Sequence, residues 1–225
     1  MISGFKDISL IDYPGHIAPV VFIGGCNFRC PFCHNRSLVL SPSALNEELT
    51  LERIKKSRTL ANGVVVTGGE PTLWNGLKPF IKKIKQIGLK IKLDTNGYLT
   101  GVLGDLLDSG LVDYVAMDIK TSPARYHQAT GVHVDKEIIR SSIELLRCST
   151  IKHEFRTTCV PGLVGKNDIE IIAKMIGPDQ VLSLQPFIPV NTIDPRFTLL
   201  KPYASGTMQE FLSVALNAGV KARVV

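Results

Sequence analysis

Three of the five cysteines of this chain, Cys26, Cys30 and Cys33, fall inside GGCNFRCPFCHN at 24–35, with the spacing C-x3-C-x2-C. Thiols at that density can hold a metal ion, carry a redox pair or grip an iron–sulfur cluster. A closed zinc site takes four ligands. The fourth here would be His34, beside Cys33, or the distant Cys148 or Cys159. Both distant cysteines fall in runs that read as buried, where free cysteine is a common core residue. CPFC at 30–33 has the C-x-x-C form of a disulfide oxidoreductase, which would leave Cys26 surplus. A [4Fe–4S] cube on three thiolates leaves one iron open to another ligand. Gly24 and Gly25 let the backbone fold closely there, with amide N–H groups able to donate to cluster sulfurs.

Further along, Glu70, Asp94, Asp118 and Lys120 each lie at or just past the end of an apolar run. In parallel α/β folds the C-terminal ends of strands carry the chemistry. Four such endings would converge on one mouth, onto which the cysteine loop also opens. Singly, each acid reads equally as a cap on the following helix.

The elements that must position these residues alternate along the chain. Strands are expected at 18–24, 63–68, 89–95, 112–119, 152–160 and 180–187, with a short last strand in VKARVV. Helices are expected near 47–60, 75–87, 99–109, 136–147, 167–176 and 204–218. In 77–87, Leu77, Phe80, Ile81, Ile84 and Ile87 recur at three- and four-residue spacing, one buried stripe. Pro79 suits its first turn. Strands alternating with helices argue for a parallel α/β sheet, either open and doubly wound or a partial barrel. No linker or composition break divides the chain, so 1–225 reads as a single domain.

Composition, 44% apolar and 20% charged, is that of a globular protein. No apolar run approaches the roughly 20 residues of a membrane helix, so no membrane role is expected. The N-terminus MISGFKDISLIDYPG carries acids early and lacks the apolar core of a secretory signal. The expected compartment is cytoplasmic, where thiols stay reduced. A net charge of +6 is weak ground for nucleic-acid binding, and the lysine-rich 78–92 reads as a solvated helix face, so no nucleic-acid partner is expected.

C-x3-C-x2-C after a first strand is the signature of the radical S-adenosylmethionine (SAM) enzymes, and the chain resembles them further in register. TGGEP (67–71) is similar to the family's glycine-rich motif, whose backbone meets the amino group of SAM. IDYPGHIAPVVFIGGCNFRCPFCHN, TGGEP, DTNG (94–97), MDIK (117–120) and VPG (160–162) together resemble the glycyl-radical-enzyme activases. IDYPG…CPFCHN is especially similar to the short, anaerobic ribonucleoside-triphosphate reductase activating type.

The resemblance implies a partial (β/α)6 TIM-like barrel of parallel strands. It implies a [4Fe–4S] cluster on Cys26, Cys30 and Cys33, and SAM against Gly68, Gly69, Glu70, Asp94, Thr95, Asp118 and Lys120. Asp94, Thr95 and Asp118 would act on the methionine carboxylate through a monovalent cation, and Lys120 would contact SAM itself. Arg156, of the R-x3-VPG stretch, would face the site. The relatives' histidine near the sixth strand has no counterpart in LQPFIP (184–189), so that contact is absent or replaced by Gln185.

The implied activity is an oxidoreductase that cleaves SAM reductively and places a radical on a glycine of a large partner, expected to be anaerobic ribonucleotide reductase. A flavodoxin or ferredoxin would supply electrons. Three readings stand beside it. One is pyruvate formate-lyase type activation. The second is a radical enzyme acting on a small molecule, such as 7-carboxy-7-deazaguanine synthase. The third is a non-catalytic electron carrier or zinc-stabilised module. His34 and Asn35 read equally as site residues or as a helix start.

Overall fold

A computed structural model describes residues 1–225. Eight strands, β1 (Ile2–Ser9), β2 (Ala18–Ile23), β3 (Gly63–Gly68), β4 (Lys90–Thr95), β5 (Tyr114–Asp118), β6 (Lys152–Cys159), β7 (Val181–Pro186) and β8 (Lys221–Val224), form one sheet in sequential order. β1 pairs antiparallel with β2, and every later neighbour is parallel. β1 and β8 do not pair, so the sheet is not closed. The helices are α1 (Arg36–Leu40), α2 (Glu47–Ser57), α3 (Leu77–Ile87), α4 (Thr100–Asp108), α5 (Tyr126–Thr130), α6 (Lys136–Cys148), α7 (Lys166–Ile176) and α8 (Ser205–Asn217).

One side of the sheet carries the main core. Val21, Val66, Leu93, Met117, Phe155 and Leu184 alternate outward along β2 to β7. They meet Ile54 of α2, Phe80 of α3, Leu103 of α4, Ile143 of α6, Ile172 of α7 and Phe211 of α8 in the same cluster. A doubly wound sheet has helices on both faces and a reversal in strand order. Here the order never reverses and these helices share one face, which selects the partial-barrel alternative. The other face begins apolar, with Tyr13, Ala18, Val20 and Val65 in a separate small cluster. It continues with Lys92, Asp94, Asp118, Glu154 and Arg156.

α3 forms as its stripe dictates: Leu77, Phe80, Ile81 and Ile84 are buried, and Gly88 at φ +88° closes its C-terminus in the left-handed region. Its lysines pair outward, Lys78 with Asp105, Lys83 with Glu47 and Lys85 with Asp113. The other expected long elements appear within three residues at each end. Unexpected are β1 and the short α1 and α5. β1 has no clean apolar alternation; Gly4, Lys6 and Asp7 interrupt it, and the ladder to β2 holds it in place. α1 starts after Asn35, but the Asn35 side chain makes no cap; its Nδ2 reaches Gly68 O at 3.4 Å. One expectation is corrected: Cys148 is exposed, not buried, because it ends α6 on the solvent side of the helix, against Glu144.

Candidate active site

The loops after β2, β3, β4, β5, β6 and β7 leave the sheet at one edge. The cysteine loop follows β2. Cys30 is buried, and Cys26 and Cys33 are half-buried. Neighbours strap this loop from several sides. Arg29 N donates to Thr130 O at 2.7 Å, and the Arg29 guanidinium donates to Cys26 O at 2.6 Å. Ile193 N donates to Cys33 O at 3.1 Å and Asp194 N to Pro31 O at 2.9 Å. Phe28 N donates to Cys26 Sγ at 3.3 Å, the kind of amide contact that favours a thiolate. Burial pushes the Cys26 thiol up to about 11 and Cys30 to about 12, against the pull of Lys120. Loading these thiols with a metal group must therefore expel protons. No three His, Cys, Asp or Glu side chains lie close enough to hold a single ion, as zinc at about 2.3 Å from each sulfur requires.

Gly68 and Gly69 let the loop after β3 press against the cysteine loop. Gly68 stands at φ +126°, where a side chain is strained, and a Cβ there would lie 2.3 Å from Ile23 O. A Cβ on Gly69 would lie 1.9 Å from Gly25 O. Glu70 N in turn donates to Gly25 O at 2.8 Å.

Glu70 and Thr95 meet each other where the loops after β3 and β4 adjoin. Glu70 is fully buried, and its Oε1 accepts from Thr72 N (3.1 Å), Thr72 Oγ1 (2.6 Å) and Thr95 Oγ1 (2.7 Å). Its Oε2 accepts from Asn96 N at 2.7 Å. Burial raises its pKa, and these donors work the other way. Asn96 Nδ2 then donates to Asn27 Oδ1 at 2.7 Å. The loops after β3, β4 and β2 are thus clasped in sequence, Glu70 to Asn96 to Asn27.

Asp94, Asp118 and Lys120 are brought together as expected, with Arg156 between them. Register places Asp118 beside Arg156 across β5 and β6. Arg156 Nη1 donates to Asp94 Oδ2 at 3.0 Å, and Nε donates to Asp118 Oδ1 at 2.8 Å. Lys120 Nζ donates to Asp118 Oδ2 at 2.9 Å, and Lys92 pairs with Asp94. Burial opposes the charge on both carboxylates, but Arg156, helped by Lys92 at Asp94 and Lys120 at Asp118, holds both below the usual range. Burial likewise opposes the Lys120 ammonium, and Asp118 outweighs it and raises its pKa. Two carboxylates face three cationic groups, a row with one spare positive charge beside three thiols. Such a row suits an anionic ligand group.

Sequence reasoning missed Lys92, Asn27 and Asn96. Lys92 had a signal: it shares strand parity with Asp94 in KIKLDT, so both face one side. The two asparagines had none, since their partner lies 69 residues away. Gln185 is half-buried on β7, beside Thr158 of β6. His34 is exposed, and partial desolvation of its ring, with Lys120, lowers its pKa. Cys159 is buried in the main core. A groove of about 470 Å³ runs between α6 and α7 on the helix side and includes none of these residues. No helix is long and apolar enough to cross a membrane.

The sequence profile of the Radical SAM superfamily matches residues 20–176. A Methanocaldococcus jannaschii protein named for glycyl-radical enzyme activation is 32% identical over 222 residues, covering 96% of this chain and 91% of its own length. Pyruvate formate-lyase 1-activating enzyme of Escherichia coli is 28% identical over 179 residues, 74% of this chain and 70% of that one. Among solved structures, Streptococcus suis SuiB superposes with a TM-score of 0.70 at 14% identity, over 92% of this chain and 48% of that one. A domain of pyruvate-formate lyase-activating enzyme from Bacteroides vulgatus superposes with a TM-score of 0.58 at 18% identity, over 73% of this chain and 99% of that one. These structural likenesses establish the fold.

Proposed function

The chain belongs to the Radical SAM superfamily and, within it, to the glycyl-radical enzyme activating enzymes, and from that premise we propose that it activates anaerobic ribonucleoside-triphosphate reductase. The superfamily implies a [4Fe–4S] cluster and SAM. Cys26, Cys30 and Cys33 would hold the cluster. The donor set fits it: three thiols on one strapped loop, with the Cys26 sulfur already accepting an amide N–H. When bound, the cluster would supply the electron for reductive cleavage of SAM and so the oxidising power to remove a hydrogen atom from a glycine Cα of the partner.

This chain's own residues then bind, orient and exclude water. Gly68 and Gly69 bring the β3 loop within contact of the cysteine loop. Lys120 and Arg156 offer fixed positive charge to the methionine carboxylate. Asp94 and Asp118 hold those cations in place. Glu70 and Thr95 serve from behind, fixing the end of β4 that carries Asp94. The monovalent cation implied by the resemblance fits less well. A bound carboxylate would raise the acids to three, against Arg156, Lys92 and Lys120, and leave no unmatched charge. No step is derived through a cation. Swapping potassium for tetramethylammonium at constant ionic strength should leave SAM affinity unchanged; a tenfold gain with potassium would put a cation between Asp94 and Asp118.

The observation that carries the reading is the contact of the three-thiol loop with the β3 and β4 loops beside the Asp94–Arg156–Asp118–Lys120 row. We read residues 1–225 as one such unit working in the cytoplasm, with flavodoxin or ferredoxin as donor. The test is anaerobic reconstitution followed by incubation with SAM and the reductase. A glycyl radical should appear by electron paramagnetic resonance (EPR). A radical formed only on pyruvate formate-lyase would reassign the partner, and turnover of a small molecule alone would overturn activation.

A further inference from the structure

A backbone N–H can only donate, and that fixes two side-chain amides at this site. Tyr98 N donates to Asn96 at 3.0 Å, so the accepting atom is Asn96 Oδ1. Asn96 Nδ2 must then be the group that meets Asn27 at 2.7 Å, and a donor there requires Asn27 Oδ1 as acceptor. Asn27 Nδ2 is left over. It is buried and has no hydrogen-bond partner in the chain. A buried donor without an acceptor is costly, and native folds rarely retain one without a reason.

The position of this donor suggests its acceptor. Asn27 follows Cys26 directly, and its Oδ1 lies 3.8 Å from Cys26 Sγ. A loaded cysteine loop brings sulfurs, and sulfurs accept hydrogen bonds. The amide is also held against turning. Its oxygen is fixed by Asn96, whose own backbone N–H is fixed by Glu70 Oε2.

We propose that Asn27 Nδ2 donates a hydrogen bond to the iron–sulfur cluster, in an orientation set by Asn96, and raises the cluster's reduction potential. The proposal rests on the cluster reading above. A donor to cluster sulfur stabilises the reduced, more negative state.

The test compares wild type with Asn27→Leu, which keeps the approximate shape and carries neither donor nor charge. Both are reconstituted anaerobically without SAM, assayed for iron and sulfide, and titrated redox-potentiometrically by EPR. The variant should keep its iron and show a midpoint lower by about 59 mV or more, a tenfold smaller ratio of reduced to oxidised cluster at fixed potential. An unchanged midpoint with full iron overturns the proposal. Should the variant take up no iron, wild type alone decides. Protein carrying ¹⁵N only in asparagine side-chain amides should show a ¹⁵N coupling to the reduced cluster by pulsed EPR, and its absence overturns the proposal. A wild type without iron and sulfide would instead sink the cluster reading itself, a distinct result.

Discussion

Arg156→Gln asks whether one guanidinium holds the charged row together. Arg156 is the group that touches both carboxylates, at 3.0 Å from Asp94 and 2.8 Å from Asp118. Without it, Asp94 keeps Lys92 and Asp118 keeps Lys120. Removing one partner of a buried pair costs about 3–5 kcal/mol when the other charge is abandoned. Each carboxylate here retains a cation, so the expected loss is at the lower end, about 3 kcal/mol. For a chain of this size that lowers Tm by roughly 6–12 °C.

The pH dependence follows from the same contacts. Both carboxyls are held below their ordinary range, with Arg156 the strongest influence opposing burial. A depressed carboxyl contributes stability that is complete above the unfolded pKa of about 3.9 and is lost as pH falls through the folded value. In the variant, burial is less opposed, so both carboxyls take up protons at higher pH. The Tm gap should therefore be full at pH 7 and narrow as pH falls below about 4. Anaerobic calorimetry across that range measures it. A gap under about 2 °C at pH 7, or one that shows no narrowing between about pH 4 and about pH 3, would refute the argument.

Cys26→Ala, Cys30→Ala and Cys33→Ala should each abolish SAM cleavage, measured as 5′-deoxyadenosine release, while Cys148→Ala and Cys159→Ala retain it. Gly69→Ala puts a methyl 1.9 Å from Gly25 O; the cysteine loop must shift, so iron uptake on reconstitution should fall at least severalfold. Glu70→Gln turns an amide toward the Asn96 N–H or the Thr72 and Thr95 donors, leaving a buried donor unpaired at about 1–3 kcal/mol. SAM affinity, read by equilibrium binding, should weaken about tenfold, and an unchanged value would remove Glu70 from the clasp's energetics.

Much of this architecture is legible locally. The stripe from Leu77 to Ile84 fixes α3, and runs such as GVVVTG and KIKLDT fix strands because both their faces are covered. The mouth was legible for the same reason: polar residues at successive strand ends must share an edge. What was not legible depended on partners remote in sequence. Glu70 and Thr95 look like ligand groups along the chain, yet they meet each other across 25 residues. Lys92 reads as a surface lysine along the chain, yet it is buried and paired with Asp94. β1 lacks a pattern of its own and exists through its ladder to β2. Cys148 follows an amphipathic helix so closely that only its angular position reveals its exposure.

The unclosed sheet carries one more consequence. A closed barrel has no strand edges, whereas this one has two, and an unpaired edge is a template on which other chains can associate. β8 limits that hazard by being four residues long and carrying Lys221 and Arg223, the second turned back onto Glu154. β1 limits it with register irregularities at Ile2/Gly4 and Lys6/Ser9, which bend the strand, and with the charges of Lys6 and Asp7. The wall stays open along its length without inviting aggregation at its margins.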